Sequence, residues 1–265
     1  MNVAQTMRKA FGAYKEQHPM TDRVLSGMTA FVSGSGQNIG RAIAVNLARM
    51  GCNVVVNGSS NRDAAQATAD MVEATGAKAL VAMGDVGHSD DVATMAQAAL
   101  AHFGTVDIVV NNAARRPHKP FLEMLDEDWH TVMNTALTSV FYTSRAFLPG
   151  MVDKGWGRVI NFAGMNAIKG YIEGAPISAA KHGIWGLTKA LSMEFAPKGI
   201  TANVISPGQI RAETATEDDP ARAAKIPTGF MGQPDDISAM VGFLASPQAR
   251  FVTGQMIAVN GGETT

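Results

Sequence analysis

From residue 28 onward, short apolar runs alternate with longer segments in which apolar residues recur at helical spacing. The short runs are "MTAFVS", "NVVVN", "KALVAM", "VDIVVN", "RVINFA", "TANVIS" and "QMIAVN". Their near-continuous Val, Ile and Ala predict strands covered on both faces. Between them, "NIGRAIAVNLARM", "RDAAQATADMVEATG" and "DDVATMAQAALAHF" carry the helical period. Strands that alternate with helices call for right-handed crossovers. The expected fold class is therefore α/β, a doubly wound parallel sheet of seven strands. No linker or repeat divides it, so residues 27–265 are expected to form a single domain. Ahead of it, Met7, Ala10, Phe11 and Tyr14 stand at helical spacing. Residues 1–26 are thus expected to be a helical N-terminal extension that packs on the domain or on a neighbouring subunit. The polar stretch "RAETATEDDPARAAKIPTG" reads as a substrate-covering loop or as a plain surface insertion.

Composition narrows the partners. With 46% hydrophobic residues over 265 positions, the chain can fill a sizeable core. A net charge of −1 argues against nucleic acid or anionic membrane as a partner. No apolar run is long enough to span a bilayer or resembles a secretion signal, and a cytoplasmic location is expected. The single cysteine, Cys52 in "RMGCNVVVNG", excludes an internal disulfide and reads as a small core hydrophobe. No metal site is expected.

The first strand runs into "SGSGQNIGRAIA", where Gly34, Gly36 and Gly40 stand in a turn that opens a helix. Small residues there let the backbone approach a pyrophosphate, and the helix N-terminus supplies N–H donors and positive potential. A glycine turn between a strand and a helix points to a nucleotide far more strongly than the glycines alone.

The ordered set of motifs resembles the short-chain dehydrogenase/reductase family. Its Thr-Gly-x-x-x-Gly-x-Gly fingerprint is met by Ser33, Gly34 and Gly40, with Asn38 in place of the middle glycine. "NNAA" (111–114) corresponds to Asn-Asn-Ala-Gly, and "GDV" (84–86) to the Asp-Val pair that edges the adenine pocket. "SPGQI" (206–210) matches the Pro-Gly turn near the nicotinamide, and "FVTGQMIAVNGG" (251–262) the closing strand. The resemblance covers about residues 27–262 and implies a Rossmann-type fold that binds a nicotinamide cofactor. It assigns cofactor contacts to Ser33, Gly34, Gly36, Asn38, Ile39, Gly40, Ser59, Arg62, Asp85, Val86, Asn112, Ala113, Lys181, Pro207 and Gly208. It also implies a homotetramer or dimer built through two long helices that contain residues 126–150 and 175–197.

An acidic residue after the second strand would accept the adenosine ribose hydroxyls and repel a 2′-phosphate. "NGSSNR" (57–62) offers hydroxyls, an amide and Arg62 but no carboxylate, with Arg41 in the same corner by analogy. NADP(H) is favoured over NAD(H). The alternative is that Arg62 merely opens the next helix on its solvated face.

The family's proton-handling set is broken. Members carry a tyrosine four residues before a lysine, a serine thirteen before the tyrosine, and an asparagine on an earlier helix. Lys181 is present, but Ile177, Gly164 and Ala136 stand at the other three positions. A positioned acid or base contributes about two to four powers of ten in rate, so ordinary ketone reduction should be badly impaired. Tyr171, ten residues before Lys181, is the best substitute acid, with a pocket-lining role as its alternative.

The loop "NNAARRPHKPFLEM" holds Arg115, Arg116, His118 and Lys119. It either grips an acidic group on a small-molecule substrate, with His118 as an acid, or is a solvated loop with salt bridges. His182 is expected to pack away from Lys181. Three readings follow. One is an NADP(H)-dependent oxidoreductase that reduces an iminium or a conjugated double bond, where no tyrosine proton on oxygen is needed. The others are a non-redox, lyase-like enzyme and a non-catalytic binding partner.

Overall fold

The computed structural model describes residues 23–264. The helix expected over Met7, Ala10, Phe11 and Tyr14 lies outside the described residues. Seven strands form one parallel sheet: β1 (Thr29–Val32), β2 (Asn53–Gly58), β3 (Ala79–Met83), β4 (Ile108–Asn111), β5 (Gly157–Phe162), β6 (Ile200–Pro207) and β7 (Met256–Val259). Their order is β3-β2-β1-β4-β5-β6-β7. Each strand coincides with one of the apolar runs. The wholly buried β1, β4 and β5 show why those runs lack polar alternation: helices cover both faces.

Helices α1 (Asn38–Arg49), α2 (Arg62–Glu73) and α3 (Ser89–Phe103) follow the first three strands. Next come α4 (Asp126–Met133), α5 (Ser139–Lys154) and α6 (Ala175–Phe195), then the short α7 (Pro220–Ala223) and α8 (Pro234–Ala245). One core lies on the α1, α2 and α8 side, where Ile43, Leu47, Val54 and Val241 meet. A second, on the other face, gathers Phe31, Val55, Val109, Phe147 and Met151.

The long helix expected through residue 150 departs from simple periodicity, because α4 and α5 are joined by a π-helical stretch, Asn134–Thr138. Ser139 Oγ donates to the Thr135 carbonyl there at 2.7 Å, drawing a side chain into the backbone ladder. Cys52 is a buried core residue as expected, and burial pushes its thiol pKa far up.

Polar groups sealed inside the sheet fix its centre. Asn111 Nδ2 donates to Asn161 Oδ1 at 2.8 Å, Asn161 Nδ2 to Thr188 Oγ1 at 2.8 Å, and Thr143 Oγ1 to Asn111 Oδ1 at 2.7 Å. This chain ties β4 and β5 to α5 and α6. Replacing Asn161 with alanine would leave Asn111 and Thr188 with unmet buried hydrogen bonds, at about 1–3 kcal/mol for each group orphaned. Urea unfolding of Asn161→Ala should show a midpoint lowered by several tenths of a molar or more at an unchanged slope.

Candidate functional site

The sheet reverses its winding between β1 and β4, the switch point where α/β proteins open a crevice at the carboxyl ends of their strands. Two hydrogen-bonding residues stitch that crevice. Ser33 Oγ accepts from the backbone N–H groups of Asn112 and Ala113, both at 3.0 Å. Asn112 Nδ2 donates to the carbonyls of Ser33 and Gly34, both at 3.0 Å. From β2, Asn57 Oδ1 accepts the Gly34 N–H at 3.1 Å. The glycine turn is thereby held from both neighbouring strands.

Within the turn, Gly34 (φ +60°) and Asn38 (φ +49°) adopt left-handed conformations, which glycine and asparagine tolerate best. A Cβ on Gly40 would run into the Gly34 carbonyl and come within 2.7 Å of Asn112 Nδ2 and 2.8 Å of the Ser35 Cα. Only glycine fits there.

A cavity of about 460 Å³ lies over this turn. The sequence-predicted Gly34, Gly36, Asn38, Ile39, Gly40 and Ser59 line it, as do Asp85, Val86, Asn112 and Ala113. Two of the expected contacts stand off this cavity. Ser33 does not line the cavity; it is 2% exposed, and its hydroxyl is consumed in the stitch to β4. Arg62 is exposed at the start of α2 and also stays outside. Asn61 Oδ1 caps that helix on Ala64 N at 3.0 Å, which leaves Arg62 on its solvated face. Arg41 is engaged elsewhere, donating to Thr68 Oγ1 at 3.1 Å and pairing with Glu213 at 2.8 Å.

Glu213 was not legible in the sequence, since 175 residues separate it from Asn38. It belongs to the polar loop after β6. Its carboxylate accepts the Asn38 N–H at 2.9 Å, and Asn38 Oδ1 accepts the Glu213 N–H at 3.1 Å. The loop is thus strapped to the amino end of α1.

A second cavity, of about 360 Å³, adjoins the first and shares Asn38, Ile39 and Arg116 with it. Pro207, Gly208, His118 and Tyr171 line it, as expected of residues beside a reacting centre. The His118 and Tyr171 rings stand 5.1 Å apart. Their loops are joined where Lys119 N donates to the Glu173 carbonyl at 2.9 Å.

Lys181 lines neither cavity. It is 2% exposed, and its Nζ donates to the Phe162 carbonyl at 2.6 Å. Burial pulls its pKa from the ordinary 10.5 down to about 7, and the Arg116 charge acts in the same direction. One turn earlier Ile177 packs with Ala136, Val132 and Ala180 in a small apolar cluster. Gly164 has φ +91° and ψ 175°, a region essentially restricted to glycine. No atom beyond its chain neighbours lies nearer its hypothetical Cβ than Pro207 O, at 3.9 Å. Its constraint is conformational, not steric. His182 does not pack inward; it is exposed and contacts the Ser178 carbonyl at 2.8 Å through Nδ1.

This fold and crevice define a class, the nucleotide-binding α/β proteins with a switch-point site. Comparison with known proteins makes it specific. Residues 34–264 match the family model described as Enoyl-(Acyl carrier protein) reductase. The chain is 39% identical over 242 residues to nodulation protein G of Azospirillum brasilense, covering 90% of this chain and 98% of that protein. It is 39% identical over 238 residues to acetoacetyl-CoA reductase of Allochromatium vinosum, covering 88% and 97%. Among solved structures, one described as a short-chain alcohol dehydrogenase from Sinorhizobium meliloti superposes with a TM-score of 0.85 at 33% identity, covering 92% of this chain and 98% of that one. The chain belongs to the short-chain dehydrogenase/reductase family, and is an oxidoreductase by that kinship.

The residues present fit a nicotinamide dinucleotide: the Gly40 position is closed to any side chain, and the amino end of α1 opens onto the cavity. No helix among the described residues is long and apolar enough to cross a membrane.

Two outcomes follow. Between about pH 7 and 9 the unfolded chain binds a proton at Lys181 that the native state lacks, so stability should rise with pH by up to about 1.4 kcal/mol per unit. Chemical denaturation of Lys181→Met across that range should show the slope removed. Above about pH 9 the raised Cys52 pKa acts in the opposite sense, because the unfolded thiol ionises first. Separately, Gly164→Ser should cost about 1–3 kcal/mol through its backbone conformation, read as a lowered melting temperature.

Proposed function

We propose that this protein is an NADP(H)-preferring oxidoreductase that reduces an iminium or a conjugated carbon–carbon double bond on a small molecule. The observation that carries the reading is the pairing of a glycine-turn cavity lined by ten of the expected cofactor contacts with an apolar cluster at the proton-relay positions, where Ile177 and Ala136 pack together. The bound nicotinamide would supply a hydride to a substrate carbon. The residues around it would hold and orient. The Gly34–Gly40 turn and the start of α1 take the pyrophosphate, Asp85 and Val86 edge the adenine, and Asn112, Ala113, Pro207 and Gly208 border the nicotinamide end. Lys181 would reach the ribose by turning from the Phe162 carbonyl. Where a substrate needs a proton, Tyr171 and His118 are the groups lining the second cavity that can provide one.

The preference for NADP(H) rests on the wall formed by Gly58, Ser59, Ser60 and Asn61, which presents no carboxylate to a 2′-phosphate. With Arg62 turned outward and Arg41 paired to Glu213, the discrimination should be modest. The exposed Phe141 on α5 and Met193 on α6, 45% and 81% accessible, suit a homo-oligomer formed across those helices.

Parallel calorimetric titrations with NADPH and NADH test the cofactor half. Micromolar binding, tighter for NADPH, is expected; no binding of either at millimolar concentration would sink the redox reading. A screen of cyclic imines and enones against simple ketones tests the chemistry half, with ketone turnover expected to be lower by about a hundredfold or more. Ile177→Tyr alone should not restore ketone reduction, because positions 136 and 164 still carry no polar side chain.

A further inference from the structure

The basic loop after β4 sorts itself into spent and unspent charge. Arg115 pairs with Asp85 at 3.2 Å, and Lys119 pairs with Asp128, whose carboxyl that contact holds below its usual range. Arg116 makes no ion pair or hydrogen bond among the described residues. Among the described residues it is the only charged one that lines both cavities, placing it where a cofactor's reactive end and a substrate would meet. The residue as a whole is exposed, yet its guanidinium is drawn away from water, which lowers its pKa, and Tyr171 lies close enough to oppose that shift.

The second cavity is one-signed. Its lining holds Arg116, Arg211 and His118 and no carboxylate. Arg211 is already neutralised by Asp218 at 3.5 Å, and Lys181 lines neither cavity, its buried amine donating to the Phe162 carbonyl. One uncompensated positive charge therefore remains beside the Tyr171 ring, on a planar group that matches a carboxylate with two parallel hydrogen bonds.

We infer that Arg116 is the anchor for a carboxylate on the substrate, so the protein acts on small monoanionic acids whose reducible bond lies close to the carboxyl group. This inference rests on the proposed oxidoreductase reading for the reducible bond, but not for the binding of the acid itself. A single free charge favours a carboxylate over a phosphate dianion.

The test measures equilibrium binding to the full chain, with and without saturating NADPH. The probes are three unsaturated carboxylates of increasing size (crotonate, cinnamate and trans-2-octenoate) and their uncharged primary amides. At least one acid is expected to bind the wild type about ten- to a hundredfold more tightly than its amide. Arg116→Gln should abolish that difference and Arg116→Lys should recover part of it, the acid-to-amide ratio being unaffected by any change in NADPH affinity. Thermal melting of each variant confirms folding. Equal affinity for acids and amides, or no binding of any acid at 10 mM (roughly the weakest association worth assigning), would overturn the inference. So would a loss of NADPH binding in Arg116→Gln with acid binding intact, which would place Arg116 in the dinucleotide cradle instead. If NADPH fails to bind the wild type but the acid preference persists, the redox reading fails and the carboxylate anchor stands.

Discussion

Much of this molecule depends on one close approach, the backbone of Gly40 lying against the Gly34 carbonyl and the Asn112 side chain. That contact fixes how steeply α1 leaves β1, and with it the direction in which the helix N–H groups point. The Ser33 and Asn112 hydrogen bonds extend the constraint to β4, and Asn57 extends it to β2. Three strands thus hold one turn rigid while the crevice above it stays open. Glu213 adds a fourth restraint from the far side of the sheet, and its carboxylate already satisfies the Asn38 N–H that an anionic ligand would meet. The cradle is preorganised for negative charge, and a negative charge of the protein's own rests at its edge.

Next to this polar crevice lies an apolar corner. Ile177, Ala136, Val132 and Ala180 pack together between α4, its π-helical continuation and α6, and Ile177 presents an apolar side chain to the second cavity. Lys181 remains, shut off from water with its amine donating to the Phe162 carbonyl. The depressed pKa is the electrostatic result of that isolation, deepened by Arg116. A site arranged in this way can bind and orient a reactant. On the proposed reading, Tyr171 and His118, which line the second cavity, would supply a proton where the substrate needs one.

The strands and the glycine turn were legible because buried parallel strands and phosphate turns write themselves into local sequence. All seven apolar runs became strands, and ten residues expected at the dinucleotide site line one cavity. What escaped was long-range or directional. Nothing near Glu213 signals that its partner lies 175 residues earlier. Arg62 reads from sequence as a partner for a 2′-phosphate, yet the placement of a helix start turns it outward at the head of α2, while Arg116 sits where two cavities meet. The π-helical stretch, where the Ser139 hydroxyl donates to the Thr135 carbonyl, was equally hidden, since no local residue pattern marks it.

The backbone at Gly164 carries a consequence for substitution there. At φ +91° that residue rests in a conformation a serine would adopt only under strain. A chain with glycine there can take up a serine only against that strain, whatever stands at position 177, so a hydroxyl at 164 and the loop conformation around it would have to change together.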